Sequence, residues 1–342
     1  MPNTIDLSRT GQLNGNTADD RAAFITLSTT EVISAFNRAC IFKDLVMSRP
    51  LQRGRKGEEF PVLGRKKARY HTTGQSVLTN LNNSPADRAK EVINIDGLMI
   101  ALEVVDDMDA LLDFAAPQVR QETNEQLGQA LAEERDSRTA RVLFACSKRN
   151  TPQLQKASDA DRVGTTRTLS AGYANATKAA KGNELVSIIG DLKTALKRKN
   201  VPWRDMTIVV PPEEYEFLQE GDKVLNADYN ANASNGSLRE GAPNLRVKGI
   251  PVLESNVVNQ EAYVLQAGDR GNSEYQQDMS KCRMLMFHKS AIGVLTLLNP
   301  QFQMTSPNGD FNFEYQAQGV MAKMAIGMKS LRPEAAASVS IP

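Results

Sequence analysis

The spacing of apolar residues changes several times along this chain, and each change predicts an element. Residues 1 to about 30 are polar, rich in Asn, Thr and Asp, and without period until Val32, Ile33, Phe36 and Ala39. They read as an arm leading into one short helix. FPVLGR (60–65) and EVINIDG (91–97) carry strand patterns. The polar connection between them, roughly 20 residues, is too long for a structureless loop inside a compact domain, so the pair predicts a projecting hairpin. LMIALEVV (98–105) continues extended and runs into the acids Asp106, Asp107, Asp109 and Asp113.

After Pro117, a residue suited to a first helical turn, Val119, Leu127, Ala130, Leu131, Val142 and Ala145 recur near helical spacing on a heavily charged segment. They predict one long helix over 117–147. Residues 148–182 are polar and read as loop. NELVSIIGDLKTALKRKN (183–200) is a clear amphipathic helix, with Asn183 as its cap and Lys197, Arg198 and Lys199 complementing its C-terminal dipole. TIVV (207–210) and KGIPVLES (248–255) predict strands, and Pro211, Pro212 and Glu213 open a short helix. A turn-rich stretch covers 226–241. The last third is strand-like: MLMF (284–287), AIGVLTLL (291–298) and GVMAKMAIGMKS (319–330), where Val320, Ala322, Met324, Ile326 and Met328 alternate onto one face. Helices in the middle and long strands at the end define an α+β class.

Charge refines this picture. The chain has 342 residues and a net charge of +1 from 41 basic and 40 acidic side chains. No global field draws it to nucleic acid or membrane, and charge acts locally. The local asymmetry is sharp: from Arg49 to Tyr70, Arg49, Arg53, Arg55, Lys56, Arg65, Lys66, Lys67 and Arg69 stand against only Glu58 and Glu59, and Tyr70 adjoins them. Such a basic run grips phosphates in nucleic-acid-binding arms, which makes a non-enzymatic nucleic-acid-binding protein using 49–69 the alternative reading. The near-neutral total fits better with basic projection and acidic run as complementary surfaces of neighbouring copies. The subunit-contact candidates are therefore Arg53, Arg55, Lys56, Arg65, Lys66, Lys67, Arg69 and Tyr70 on one side, and Asp106, Asp107 and Asp109 on the other. The first residues have no signal-peptide core and no stretch is apolar enough to span a membrane, so synthesis in a cytosol is expected.

Chemistry is sparse. Cys40, Cys146 and Cys282 lie far apart, without a CxxC pair, and are expected reduced and buried. His71 and His288 stand alone and read as surface or packed histidines. The hydrolase, zinc-protease, NTPase and dinucleotide motifs are absent. SDADRVG (158–164) resembles a calcium loop only briefly, because Val163 and Ser170 stand where oxygen ligands belong. No catalytic residue, metal site or cofactor is expected.

The order of parts, together with FPVLGR (60–65), VINIDGLMIALEVVDDMDAL (92–111), QLGQALAEERD (126–136), HKSAIGV (288–294) and LRPEAAASV (331–339), resembles the major capsid proteins of T7-like short-tailed bacteriophages over most of the chain from about residue 30. That resemblance implies an HK97-type capsid fold. Its parts would be an N-terminal arm (1–50), an extended loop (51–97), a peripheral domain (98–149) with a spine helix over 117–147, an axial domain (150–285), peripheral-domain long strands (286–330) and a C-terminal segment (331–342) returning to the axial domain. It further implies self-assembly into pentamers and hexamers of an icosahedral virion head, made in the bacterial host cytoplasm. The head would enclose double-stranded DNA contacted non-specifically, with scaffolding and portal proteins as partners and no membrane.

Overall fold

A computed structural model describes residues 17–52, 54–64, 70, 73–74, 76, 88–106, 117–154, 160–221, 245–264, 272–305 and 314–342. Two compact units divide them. One draws on Met1–Lys43, Gly97–Asp136 and Thr296–Ile326, the other on Asp44–Asp96, Ser137–Leu295 and Gly327–Pro342.

In the first unit, helix α1 (Thr17–Ala39) is longer than the short helix expected from about residue 32. The Thr- and Ser-rich turn of low helix propensity is carried by packing. Ser28, Val32, Ala35 and Phe36 form a buried stripe, while the Thr29 and Thr30 hydroxyls donate to the Ile25 and Thr26 carbonyls. The stripe meets helix α2 (Pro117–Lys148) at Gly128, where a Cβ would collide with the Val32 carbonyl and the Ala35 methyl. Asp136 on α2 holds the chain leaving α1: its carboxylate accepts from the backbone N–H groups of Ile41 at 2.6 Å and Phe42 at 3.4 Å and from the Cys40 thiol at 3.0 Å. Strand β4 (Gly97–Asp106) pairs antiparallel with β11 (Ala317–Ser330), from Gly97 opposite Ile326 to Asp106 opposite Ala317. It terminates a sheet of order β1-β10-β11-β4, where β1 is Met47–Pro50 and β10 is Ile292–Met304.

The second unit is built on a six-stranded sheet of order β5-β12-β9-β6-β8-β7, from β5 (Thr165–Thr168), β6 (Met206–Val210), β7 (Arg246–Val247), β8 (Ile250–Glu254), β9 (Cys282–His288) and β12 (Ala336–Ser340). β6 is buried along its whole length, Thr207 included, as its mostly apolar run requires of a central strand. Helix α3 (Lys178–Arg198) packs on β5 and on α4 (Pro212–Glu220), which covers β8. Two sequence expectations are corrected here. The cap of α3 is Thr177, whose hydroxyl accepts from the Ala180 N–H, and Asn183 lies inside the helix because the good helix formers of KAAKG extend it upstream. The 148–182 stretch contains β5, four polar residues without hydrophobic alternation that become a strand only through parallel pairing with β12. The predicted turns at 226–241 lie outside the described residues.

The hairpin belongs to this unit. β2 (Gly57–Leu63) and β3 (Arg88–Asn94) pair antiparallel, Gly57 opposite Asn94 and Leu63 opposite Arg88, three residues upstream of where the sequence pattern starts each strand. Most of its connection lies outside the described residues.

Candidate subunit-contact surface

The hairpin is fastened at its root, and its outer side mixes charged residues with the exposed Leu63 and Val92. Phe60 and Ile93 enter a buried cluster with Leu51, Leu295 and Leu331. Arg49 stacks over the Phe60 ring at 4.7 Å and pairs with Glu58 at 3.7 Å, so this cation is already engaged. Glu91 accepts from Arg149 at 3.3 Å and Lys329 at 2.8 Å, and Arg162 donates to the Leu63 carbonyl at 2.9 Å. Asp96, just after β3, accepts from the Tyr275 hydroxyl, and burial pushes its carboxyl up to about 6. The root is therefore preorganised by one apolar anchor and several half-buried polar ties.

Of the predicted contact residues, Arg55 and Lys56 lie exposed on the bend into β2, and neither meets a carboxylate among the described residues. Tyr70 is fully exposed. Asp106 closes β4. Arg53, Arg65, Lys66, Lys67, Arg69, Asp107 and Asp109 lie outside the described residues.

Sequence reasoning missed an exposed apolar stripe. Leu98, Ile100, Leu102 and Val104 occupy alternate positions of β4 on one face, and remain 52%, 52%, 63% and 50% exposed. Met99 and Ala101, on the other face, are half-buried. β4 ends the sheet order, so among the described residues its outer edge has no strand partner. A strand that is apolar on both faces is normally covered on both. LMIALEVV held that signal, because an antiparallel strand with one wet face alternates apolar with polar residues. An exposed apolar stripe on an unpaired edge is a liability in a lone protein and a contact surface in an assembly.

The reactive side chains are tied up locally. All three cysteines are free and buried, and burial pushes the Cys40 and Cys282 thiols up to about 12, which leaves almost no thiolate at neutral pH. His288 Nδ1 sits 2.8 Å from the Ser290 hydroxyl and accepts from the Ser290 backbone N–H at 3.2 Å, while Nε2 is 3.9 Å from Asp205. This is a two-residue turn with the imidazole as its acceptor, too loose on the Asp205 side for a charge-oriented base. Among the described residues no His, Cys, Asp and Glu cluster could hold a metal, and no helix is long and apolar enough to cross a membrane. His71 lies outside them.

This arrangement of long strands, long helix, rooted hairpin and separate six-stranded sheet is the HK97-like fold of phage capsid proteins. A capsid chain of the cyanophage P-SCSP1u superimposes with a TM-score of 0.72 at 24% identity over 98% of both chains, and one from the mature capsid of bacteriophage PhiM1 with 0.66 at 17% identity over 88% of this chain and 87% of that one. The chain belongs to the Gp10A-like major capsid protein family, whose model matches residues 59–340. It is 27% identical to the major capsid protein of Escherichia phage T7 over 336 residues, covering 94% of this chain and 92% of that protein. Its role is structural, as a phage capsid protein that assembles from many copies.

Proposed function

We propose that copies of this subunit join into pentamers and hexamers of an icosahedral head around double-stranded DNA, without catalysing a reaction, and that β4 supplies an adhesive face covered by a second copy. The observation that carries this reading is the exposed stripe Leu98, Ile100, Leu102 and Val104 on an unpaired edge strand. The extended loop, 51–97, reaches from its rooted base toward a neighbour. Its basic side chains, Arg53, Arg55, Lys56, Arg65, Lys66, Lys67 and Arg69, meet the acidic segment at Asp106, Asp107 and Asp109 of that neighbour. Weak individual contacts become a stable shell because many form at once in a closed lattice. A scaffolding protein that sets curvature and a portal protein at one vertex complete the set of partners, and synthesis occurs in the host cytoplasm.

Negative-stain microscopy of the expressed protein, with and without a scaffolding partner, tests the reading: closed shells are expected, and small particles alone under all assembly conditions would overturn it. Reversing Lys66 and Lys67 to Glu should lower shell yield while leaving subunit unfolding unchanged; undiminished yield removes the electrostatic part.

A further inference from the structure

One end of the six-stranded sheet gathers an excess of positive charge. β6 runs parallel to β8, with Ile208 opposite Val252, and antiparallel to β9, with Met206 opposite His288, so β6 and β8 begin where β9 ends. Helix α3 delivers its C-terminal half to the same end before the chain enters β6, and the turn Lys248–Gly249 precedes β8 there. Lys193, Lys197, Arg198, Arg204, Lys248 and Lys289 are brought together by this topology.

The lysines are placed by specific contacts. Both residues of the turn adopt positive φ, 51° at Lys248 and 83° at Gly249, and for a lysine that conformation is uncommon. It lays the Lys248 side chain over Gly190 of α3, where any Cβ would strike its ammonium. Lys193, on the next turn, donates its ammonium to the Lys248 carbonyl, and Lys197 follows one turn further on the same face. Burial, then Lys197 and Lys248, hold the Lys193 ammonium below its usual range.

Several cations elsewhere pair with carboxylates: Lys178 with Glu216, Lys90 with Glu59, Arg149 and Lys329 with Glu91, Arg162 and Arg332 with Glu334, Arg283 with Glu214. None of the six at this sheet end has a carboxylate partner among the described residues. The acids near them are Asp191 on α3 and Asp205, whose side chain is 68% exposed and turned to His288. Trp203, the sole tryptophan of the chain, precedes Arg204 and is 52% exposed, although an indole gains more from burial than most side chains. Clustered like charge without internal compensation, beside an uncovered aromatic, is the footprint of a phosphate-backbone site.

We propose that this sheet end binds the phosphate backbone of double-stranded DNA, with the α3 and turn lysines on phosphates and Trp203 packed on the adjoining sugars. The site lies on α3, β6 and β8, on elements other than the basic hairpin. The inference rests on the shell reading for double-stranded DNA as the partner and deepens it by naming where the single subunit would touch that partner.

The test uses unassembled full-length subunits titrated at low salt with a short DNA duplex, followed by Trp203 fluorescence and by gel shift over a series of salt concentrations. The double variant K197E/R204E changes two exposed side chains that hold no hydrogen bond among the described residues, and K289E provides a second variant at the end of β9. Expected are quenching of the wild type, an affinity loss of at least about tenfold in the double variant, and a log K against log salt slope smaller by about 2. Unchanged affinity and slope in both variants overturn the proposal. So does loss of binding in R55E/K56E instead, which would return the contact to the hairpin, or wild-type binding to polyglutamate but not to the duplex.

Discussion

Replacing Leu102 by Glu should abolish assembly and leave the folded subunit intact. Complete burial of a Leu, Ile or Val side chain is worth about 1.5–3 kcal/mol. Half or more of each of the four stripe side chains is still exposed in the subunit. Covering the stripe therefore contributes roughly 3–6 kcal/mol per subunit, about 1 kcal/mol from each residue. Leu102→Ala forfeits most of one share, which raises the concentration needed for assembly about fivefold. Leu102→Glu also places an unpaired carboxylate in the covered face, a further cost of several kcal/mol. Because Leu102 is 63% exposed in the subunit, either change should alter unfolding by no more than about 0.5 kcal/mol. Light scattering against subunit concentration reads assembly, urea unfolding reads the subunit, and Val264→Ala, at a residue 75% exposed outside the stripe, is the control. Shells forming from Leu102→Glu subunits at the wild-type concentration would refute the assignment of β4 as a contact face.

Two further outcomes follow from buried carboxylates. Burial outweighs the Tyr275 hydroxyl and the Arg138 charge and raises the Asp96 carboxyl from 3.8 to about 6. The folded chain thus keeps a proton that the unfolded chain has released, so stability from this group is full at acid pH and is lost as pH rises through about 6, by at most about 3 kcal/mol. Asp96→Asn should flatten that slope in urea unfolding measured between acid and neutral pH; an unaltered slope would show that Asp96 does not titrate there. Asp136→Ala orphans the Ile41 and Phe42 N–H groups and removes a counter-charge from buried Arg135, and should cost about 3 kcal/mol or more in chemical denaturation. A loss below about 1 kcal/mol would mean the turn after α1 is held by other contacts.

The elements with strong local period were legible in residue order. Leu127, Leu131 and Val142 mark the long helix, seen as Pro117–Lys148, and Ala322, Met324, Ile326 and Met328 mark the buried face of β11. Elements whose stability comes from partners were not. TTRT is a strand because β12 lies beside it, and the Thr- and Ser-rich middle of α1 is helical because Val32 and Phe36 next to it pack on α2. The contact surface split the same way. Charge segregation pointed to the hairpin and the acidic run, yet whether an apolar strand is covered on one face or two depends on its neighbours across the sheet.

By itself the sequence determined the α+β class, the long helix, the hairpin with its basic flank, the scarcity of catalytic groups and the resemblance to phage shell proteins, since these rest on local period, charge order and residue type. Tertiary structure alone decided that Leu98, Ile100, Leu102 and Val104 face outward on an edge, and that Lys193, Lys197, Lys248 and Lys289, up to 96 positions apart in the chain, meet at one sheet end beside Trp203. Exposure and charge proximity are properties of strand order and register, which bring together residues that no window along the chain contains.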